Sequence, residues 1–315
     1  MPSVILDTTL RDGGLKVKFD WTTEFAQSHL RLCRETQGLD WVEIGYLNAG
    51  EKFSSPFYGM TSEFLSMICE GQPSKSACMI DYHYRPSLNH LEQYQFLPEL
   101  IRITARASDV SDATVFGSEL KDRLGTLVSL NLSNISSYST EDRARFMRQD
   151  LSAFDMVYLA DTHGGFSCEE DREFLEGFVR MGRDQKFATG GHFHNHRNLA
   201  QSNHRVAAES GFDLSDGTLT GLGKGGGNLP TESLISFEDA LPLLNNFCSW
   251  QEGSASQARA FYFVSSTFSV VDHYSDQAMA LGLGLETFAN FCRTLRGTVR
   301  DEFDAKLIEE LSLKL

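Results

Sequence analysis

Residues 156–161 read MVYLAD, residues 169–183 read EEDREFLEGFVRMGR, and residues 188–194 read ATGGHFH. The first and third are short strand-like runs, and the middle segment has helical periodicity. A strand, a helix and a second strand in that order form one βα unit of a parallel sheet. Working outward, strand-like runs also fall at Val4–Arg11, Trp41–Tyr46, Ala77–His83, Leu100–Ala105, Leu127–Leu132 and Phe212–Leu219, which makes eight with Met156–Asp161 and Ala188–His194. Helical candidates lie between them, among them Thr23–Thr36, Thr61–Glu70, Thr140–Ala153, Glu169–Arg183 and Leu199–Ser210. Eight βα units predict a closed (β/α)8 TIM barrel, with an open doubly wound sheet as the other architecture that shares this pattern.

The chain has 315 residues, 41% of them hydrophobic, enough for one barrel of about 250 residues and an appendix. The expected division is a catalytic barrel over residues 1–250 and a helical extension over 251–315, with apolar residues at helical spacing in 261–271 and 285–295. That extension is expected to pack on the barrel or to build the interface of a homo-oligomer. With 43 acidic residues against 28 Lys and Arg, the formal net charge of -15 argues against a cationic nucleic-acid surface. No run approaches the 18 or so apolar residues of a membrane span, and no signal-peptide pattern opens the chain, so neither a membrane nor secretion is expected and the cytoplasm is the expected location. Six scattered cysteines without a CxxC pair predict buried free thiols.

In a parallel barrel, chemistry is carried at the carboxyl ends of the strands. The first strand run ends in Arg11-Asp12-Gly13-Gly14, a cation and an anion before a turn, which read locally is also a surface ion pair. The seventh ends in Gly190-Gly191-His192-Phe193-His194-Asn195-His196. Alternate strand residues point to one face, so His192 and His194 can reach a common cation. His196 has the same parity, so spacing alone leaves open which two of the three would ligate. Three histidines on one face would otherwise need three buried partners.

Beyond the eighth strand, Gly221-Leu222-Gly223-Lys224-Gly225-Gly226-Gly227-Asn228 contains a GxGxxG string. It stands in the wrong place for a dinucleotide loop, which follows the first strand of its unit. Gly225 and Gly226 instead suit a backbone that closes over a small anion or a metal ligand. Asn228 is either a metal ligand or the cap of a following helix. On the fifth strand, Asn131 would line a polar pocket or fill a hydrated barrel layer.

Leu6-Asp7-Thr8-Thr9-Leu10-Arg11-Asp12-Gly13-Gly14, His192-x-His194-Asn195 followed by Asn198-Leu199-Ala200, and Gly221-Leu222-Gly223 through Gly227-Asn228-x-Pro230-x-Glu232 resemble the three signatures of the DRE-TIM metallolyase superfamily. Val42-Glu43-Ile44-Gly45-Tyr46 adds a similarity to its 4-hydroxy-2-oxovalerate aldolase-like branch. The resemblance implies a divalent cation, manganese or magnesium with zinc or cobalt as alternatives, bound by Asp12, His192 and His194 with Asn228 nearby. Such hard and borderline ligands suit an octahedral ion. It implies a small 2-oxo acid substrate, with Arg11 stabilising the negative oxygen as a carbon–carbon bond breaks or forms. Asp161-Thr162-His163-Gly164 resembles a family segment that contacts substrate, which makes Thr162 a candidate contact, as is His196.

One departure bears on mechanism. Characterised hydroxy-oxovalerate aldolases carry a histidine shortly after the arginine–aspartate pair, where this chain has Gly14-Leu15-Lys16. Tyr46 and His163 lead the substitute bases, followed by His83, Tyr84 and His196. The resemblance also raises an acylating dehydrogenase as a partner, although the related aldolases offer it a larger carboxy-terminal extension than residues 251–315. An aldolase or lyase is thus the expected activity. A Claisen-type acyl-CoA synthase, a non-haem iron oxygenase and a non-catalytic barrel subunit are the competing readings.

Overall fold

The computed structural model describes residues 4–50, 52–250, 254–300 and 302–312. Eight parallel strands run in chain order: β1 Val4–Asp7, β2 Trp41–Tyr46, β3 Ser76–Asp81, β4 Leu100–Ala105, β5 Leu127–Leu132, β6 Met156–Asp161, β7 Ala188–Phe193 and β8 Leu214–Gly217. They close into a barrel through β1 and β8, with Val4 opposite Leu214 and Asp7 opposite Gly217. Closure decides between the two architectures that the βα alternation allows.

The helices between strands bury one face and are capped by polar side chains. In Thr23–Glu35, Phe25, Ala26, His29, Leu30 and Cys33 are buried at helical spacing, and the Thr22 hydroxyl accepts from the Phe25 amide at 3.1 Å. Helix Arg172–Gln185, from the segment that decided the fold, ends where Lys186 turns left-handed at φ 65°.

Four strands, β1, β3, β7 and β8, stop short of their expected ends. β1 ends at Asp7, whose carboxylate accepts from the Thr9 amide at 3.0 Å and the Thr9 hydroxyl at 2.9 Å. This local capture draws the chain out of the ladder, and Thr9–Gly13 form a π-helical turn. β3 ends at Asp81, whose Oδ1 accepts from the His83 amide at 3.0 Å and starts a 3-10 turn over Tyr82–Tyr84. β7 ends at Phe193, and His194 instead forms an isolated bridge with Asn228.

The barrel interior is layered. Leu6, Ala77, Leu100, Met156, Tyr158 and Leu214 form an apolar cluster. Alternation along the strands places Arg102, two residues beyond Leu100, and Asp216, two beyond Leu214, on the same inner face. Tyr158 fits because β7 offers Gly190 beside it; a Cβ there would lie 2.5 Å from the ring.

The chain divides into two compact units, Met1–Leu234 and Ile235–Leu315. Helix Phe237–Trp250, which the expected boundary at residue 250 grouped with the barrel, therefore clusters with the carboxy-terminal helices. In that second unit, Phe247, Phe261, Val264, Tyr274 and Phe288 are buried. Phe261 and Phe288 stack at 5.3 Å. The six cysteines are buried and free, as expected. No helix among the described residues is long and apolar enough to cross a membrane.

Candidate active site and metal centre

At the carboxyl end of the barrel, the π-helical turn after β1 directs both Arg11 and Asp12 inward, where they are 5% and 4% exposed. This excludes the surface ion pair that the local sequence allows. One ligand atom each from Asp12, His192 and His194 lies within 4.8 Å of the other two. His192 Nε2 stands 3.9 Å from Asp12 Oδ2, too far for a hydrogen bond and short enough for both to reach one ion.

Their protonation suits ligation. The Asp12 carboxyl is buried, yet Arg11, the two histidines and the Asn228 amide outweigh that penalty and hold it well below the usual carboxylate range. Burial is the main force on His194, with Asp12 opposing, and it brings the imidazole down to about 4. At neutral pH His194 is therefore the neutral form that binds metals.

Among the candidate ligands, two buried polar atoms have no partner, His194 Nδ1 and Asn228 Oδ1. Unpaired buried acceptors cost free energy, and a divalent cation gripped by this donor set fits their chemistry. Asn228 donates from Nδ2 to Asp12 Oδ2 at 2.6 Å and to the Leu222 carbonyl at 3.1 Å. Its side chain does not cap a helix; it links the glycine-rich loop to Asp12.

A buried chain of charges surrounds these ligands. Arg11 donates from Nη1 to Asp12 Oδ1 at 2.5 Å and from Nε to Glu43 Oε2 at 2.6 Å. Glu43 Oε2 also accepts from Arg102 at 3.0 Å, and Arg102 donates to Asp216 Oδ2 at 2.7 Å. Asp216 Oδ2 lies 2.9 Å from His192 Nδ1. The path runs from Asp12 to His192 through four further side chains, so these two ligands are oriented by one network. Two arginines against three carboxylates leave one excess buried negative charge, which a divalent cation would more than neutralise.

Arg102 and Asp216, together with Glu43 from the Val42–Tyr46 motif, join the site although none was read as a site residue from the sequence. Their signal is a charged residue in mid-strand, as in Leu100-Ile101-Arg102-Ile103, where no water is within reach and a partner is obligatory.

The cavity beside this network measures about 330 Å³ and is lined by Arg11, Asp12, Tyr46, Asn131, His192 and His194, with Leu15, Thr162, His196 and Lys224 also on its wall. Tyr46 sits under Arg11, the guanidinium carbon 5.9 Å from the ring centroid. Burial raises its phenol above the ordinary value even though Arg11 opposes this, so Tyr46 is held protonated. Asn131 is buried and accepts from Ser129 at 3.1 Å.

His196 has its ring nitrogens 3.1 Å from the His163 carbonyl and 3.1 Å from the Lys224 carbonyl, so it ties two loops together. That geometry answers which two of the three histidines face Asp12. His163 is exposed, and its carbonyl rather than its ring enters the arrangement. Gly225, at φ +57°, and Gly226 pack directly on His196 and Asn195; a Cβ on either would come within 2.7 Å. His83 is 3.1 Å from Asp109, and Tyr84 is exposed.

Asp7, His29 and Cys33 also converge, all fully buried. There Asp7 already accepts from Thr9, from the Thr231 hydroxyl at 2.8 Å and from His29 at 2.9 Å. Burial raises the Cys33 thiol, with Asp7 adding to the effect, and the Asp7 hydrogen bonds make the group a tie between β1 and its helix.

Residues 101–246 match the HMGL-like family model. The chain is 27% identical over 247 residues to a 4-hydroxy-2-oxovalerate aldolase of Thermomicrobium roseum, covering 76% of this chain and 67% of that one. It is also 27% identical over 241 residues to an oxaloacetate decarboxylase of Mycobacterium tuberculosis, covering 74% and 69%. Among solved structures, a hydroxymethylglutaryl-CoA lyase of Acinetobacter baumannii superposes with a TM-score of 0.64 at 18% identity, covering 79% and 90%. That last likeness is one of fold.

Proposed function

We propose that the chain is a member of the DRE-TIM metallolyase superfamily, in its aldolase-like branch, and a divalent-metal-dependent carbon–carbon lyase, a reading supported by the HMGL-like match and the aldolase relatives. Its substrate is a 4-hydroxy-2-oxo acid, which it splits into a pyruvate-type 2-oxo acid and an aldehyde, or forms from them. The observation that carries this reading is the convergence of Asp12, His192 and His194 with Arg11 at one rim of the barrel.

Asp12, His192 and His194 would hold the ion, with Asn228 Oδ1 as a further oxygen. When bound, manganese or magnesium would polarise the 2-oxo carbonyl and offset charge collecting on its oxygen. Arg11, fixed by Asp12 and Glu43, presents a positive donor to that same oxygen. Such a donor is worth about 100- to 1000-fold in rate. Asn131 and Thr162 are proposed substrate contacts on the cavity wall.

In the cleavage direction, the electron pair of the breaking bond passes to the oxo oxygen, giving an enolate. The hydroxyl proton passes to water in the open cavity as the aldehyde forms, and the enolate carbon then takes a proton from Tyr46, whose phenolate regains one from water. Tyr46 is held protonated, so it serves as the proton donor rather than as the base.

That assignment favours a second reading. Leu15 lines the cavity where the related aldolases carry a histidine, and decarboxylation of a 3-carboxy-2-oxo acid needs no hydroxyl deprotonated. Carbon dioxide leaves, the electron pair moves onto the oxo oxygen, and Tyr46 returns a proton to carbon. The Mycobacterium relative is named for such a reaction.

The test is a manganese-loaded assay of 2-oxo acid release from hydroxy-oxo acids and from oxaloacetate, alongside exchange of pyruvate methyl protons. Asp12→Asn and His192→Ala are expected to abolish all three. Activity surviving intact in both variants overturns the proposal.

A further inference from the structure

Resting on that reading, we infer that the substrate carries a second anionic group, which Arg106 and Lys224 receive at the mouth of the cavity. Both side chains are exposed and line the same cavity as Arg11 and Asp12. No hydrogen bond or ion pair engages the side-chain nitrogens of either one among the described residues. Several other surface cations do have carboxylate partners: Arg123 with Glu92, Arg143 with Asp171, and Arg172 with both Glu169 and Glu209. In a chain of net charge -15, two unpaired cations on the wall of one cavity favour an anionic group there.

Neither cation is on a free-swinging segment. Arg106 directly follows β4, and its carbonyl accepts from the Asp109 amide at 2.9 Å. The Lys224 carbonyl accepts from the Gly227 amide at 2.9 Å and lies 3.1 Å from His196 Nε2. His83, also on the wall, already has Asp109 at 3.1 Å.

Charge accounting agrees. The buried network carries one excess negative charge, the wall adds Arg106 and Lys224 against Asp81, and these cancel. A divalent ion then leaves two positive charges. A 2-oxo acid's single carboxylate neutralises one of them, and a second anionic group neutralises the other.

The experiment compares a matched pair of ligands on the manganese-loaded full chain: 2-oxopentanoate, and 2-oxoglutarate, which has the same five carbons and a terminal carboxylate. Isothermal titration calorimetry gives the two dissociation constants. The dianion is expected to bind about 10-fold more tightly, as two partly exposed charge contacts of about 0.7 kcal/mol each would give. Arg106→Gln and Lys224→Gln should each reduce that ratio, and the double variant should bring it near one through loss of dianion affinity. A 2-oxo acid with a terminal phosphonate distinguishes a carboxylate preference from a phosphoryl one. Equal binding of the pair by the unaltered protein, or a ratio that survives in the double variant, overturns this inference alone. Failure of every 2-oxo acid to bind overturns the lyase reading and this inference with it.

Discussion

His194 and Asp216 show how single side chains set the site's properties. Burial holds the His194 imidazole down to about 4, while in the unfolded chain it titrates near 6.5. Between those values the unfolded state binds the extra proton, so metal-free protein loses stability as pH falls from about 6.5 to 4, by up to ~3 kcal/mol. Denaturant melts across that window, with His194→Gln as the comparison, should show a shallower pH slope in the variant; identical slopes would refute the assignment. Asp216 holds His192 from behind, at 2.9 Å from Nδ1. Asp216→Asn is expected to weaken manganese binding about 10- to 100-fold, read by competition with a metal-sensitive dye. An unchanged affinity would mean that His192 needs no orienting partner.

Among the elements, the glycine-rich loop after β8 has the most specific job. Gly223 lies against the Asn228 amide, and a Cβ there would come within 2.5 Å of Nδ2, the atom that donates to Asp12 at 2.6 Å. Gly223→Ala should therefore lower metal affinity several-fold while costing only about 1–2 kcal/mol of stability. Calorimetric metal titration beside a thermal melt separates the two effects, and a variant with full affinity would show that the loop does not set Asp12. This packing was out of reach of the sequence, in which GLGKGGGN reads equally well as an anion loop. The π-helical turn at Thr9–Gly13 was hidden too. The run Val4–Arg11 reads as one strand, and only the Asp7–Thr9 hydrogen bonds show where it leaves the ladder.

At the scale of the whole molecule, Arg102 stands at the middle of the barrel, fully buried, with Glu43 and Asp216 as its partners and its guanidinium carbon 4.4 Å from the Tyr158 ring centroid. Arg102→Met would leave Asp216 buried without its arginine and Glu43 with Arg11 alone, at a cost of about 3–5 kcal/mol, measurable as a lowered denaturation midpoint. A loss below about 1 kcal/mol would show the charges to be solvated after all. The eight βα units, and the placing of Asp12, His192 and His194 near strand ends, were legible in the sequence. Periodicity and motif spacing are local properties, written into neighbouring residues. The closed barrel was predicted and the motif resemblance singled out His192 and His194, but the charge network was not legible. Glu43, Arg102 and Asp216 sit on β2, β4 and β8, 59 and 114 residues apart along the chain. A buried charge is satisfied only by what the strand register brings within hydrogen-bonding reach, and that register exists only once the barrel has closed.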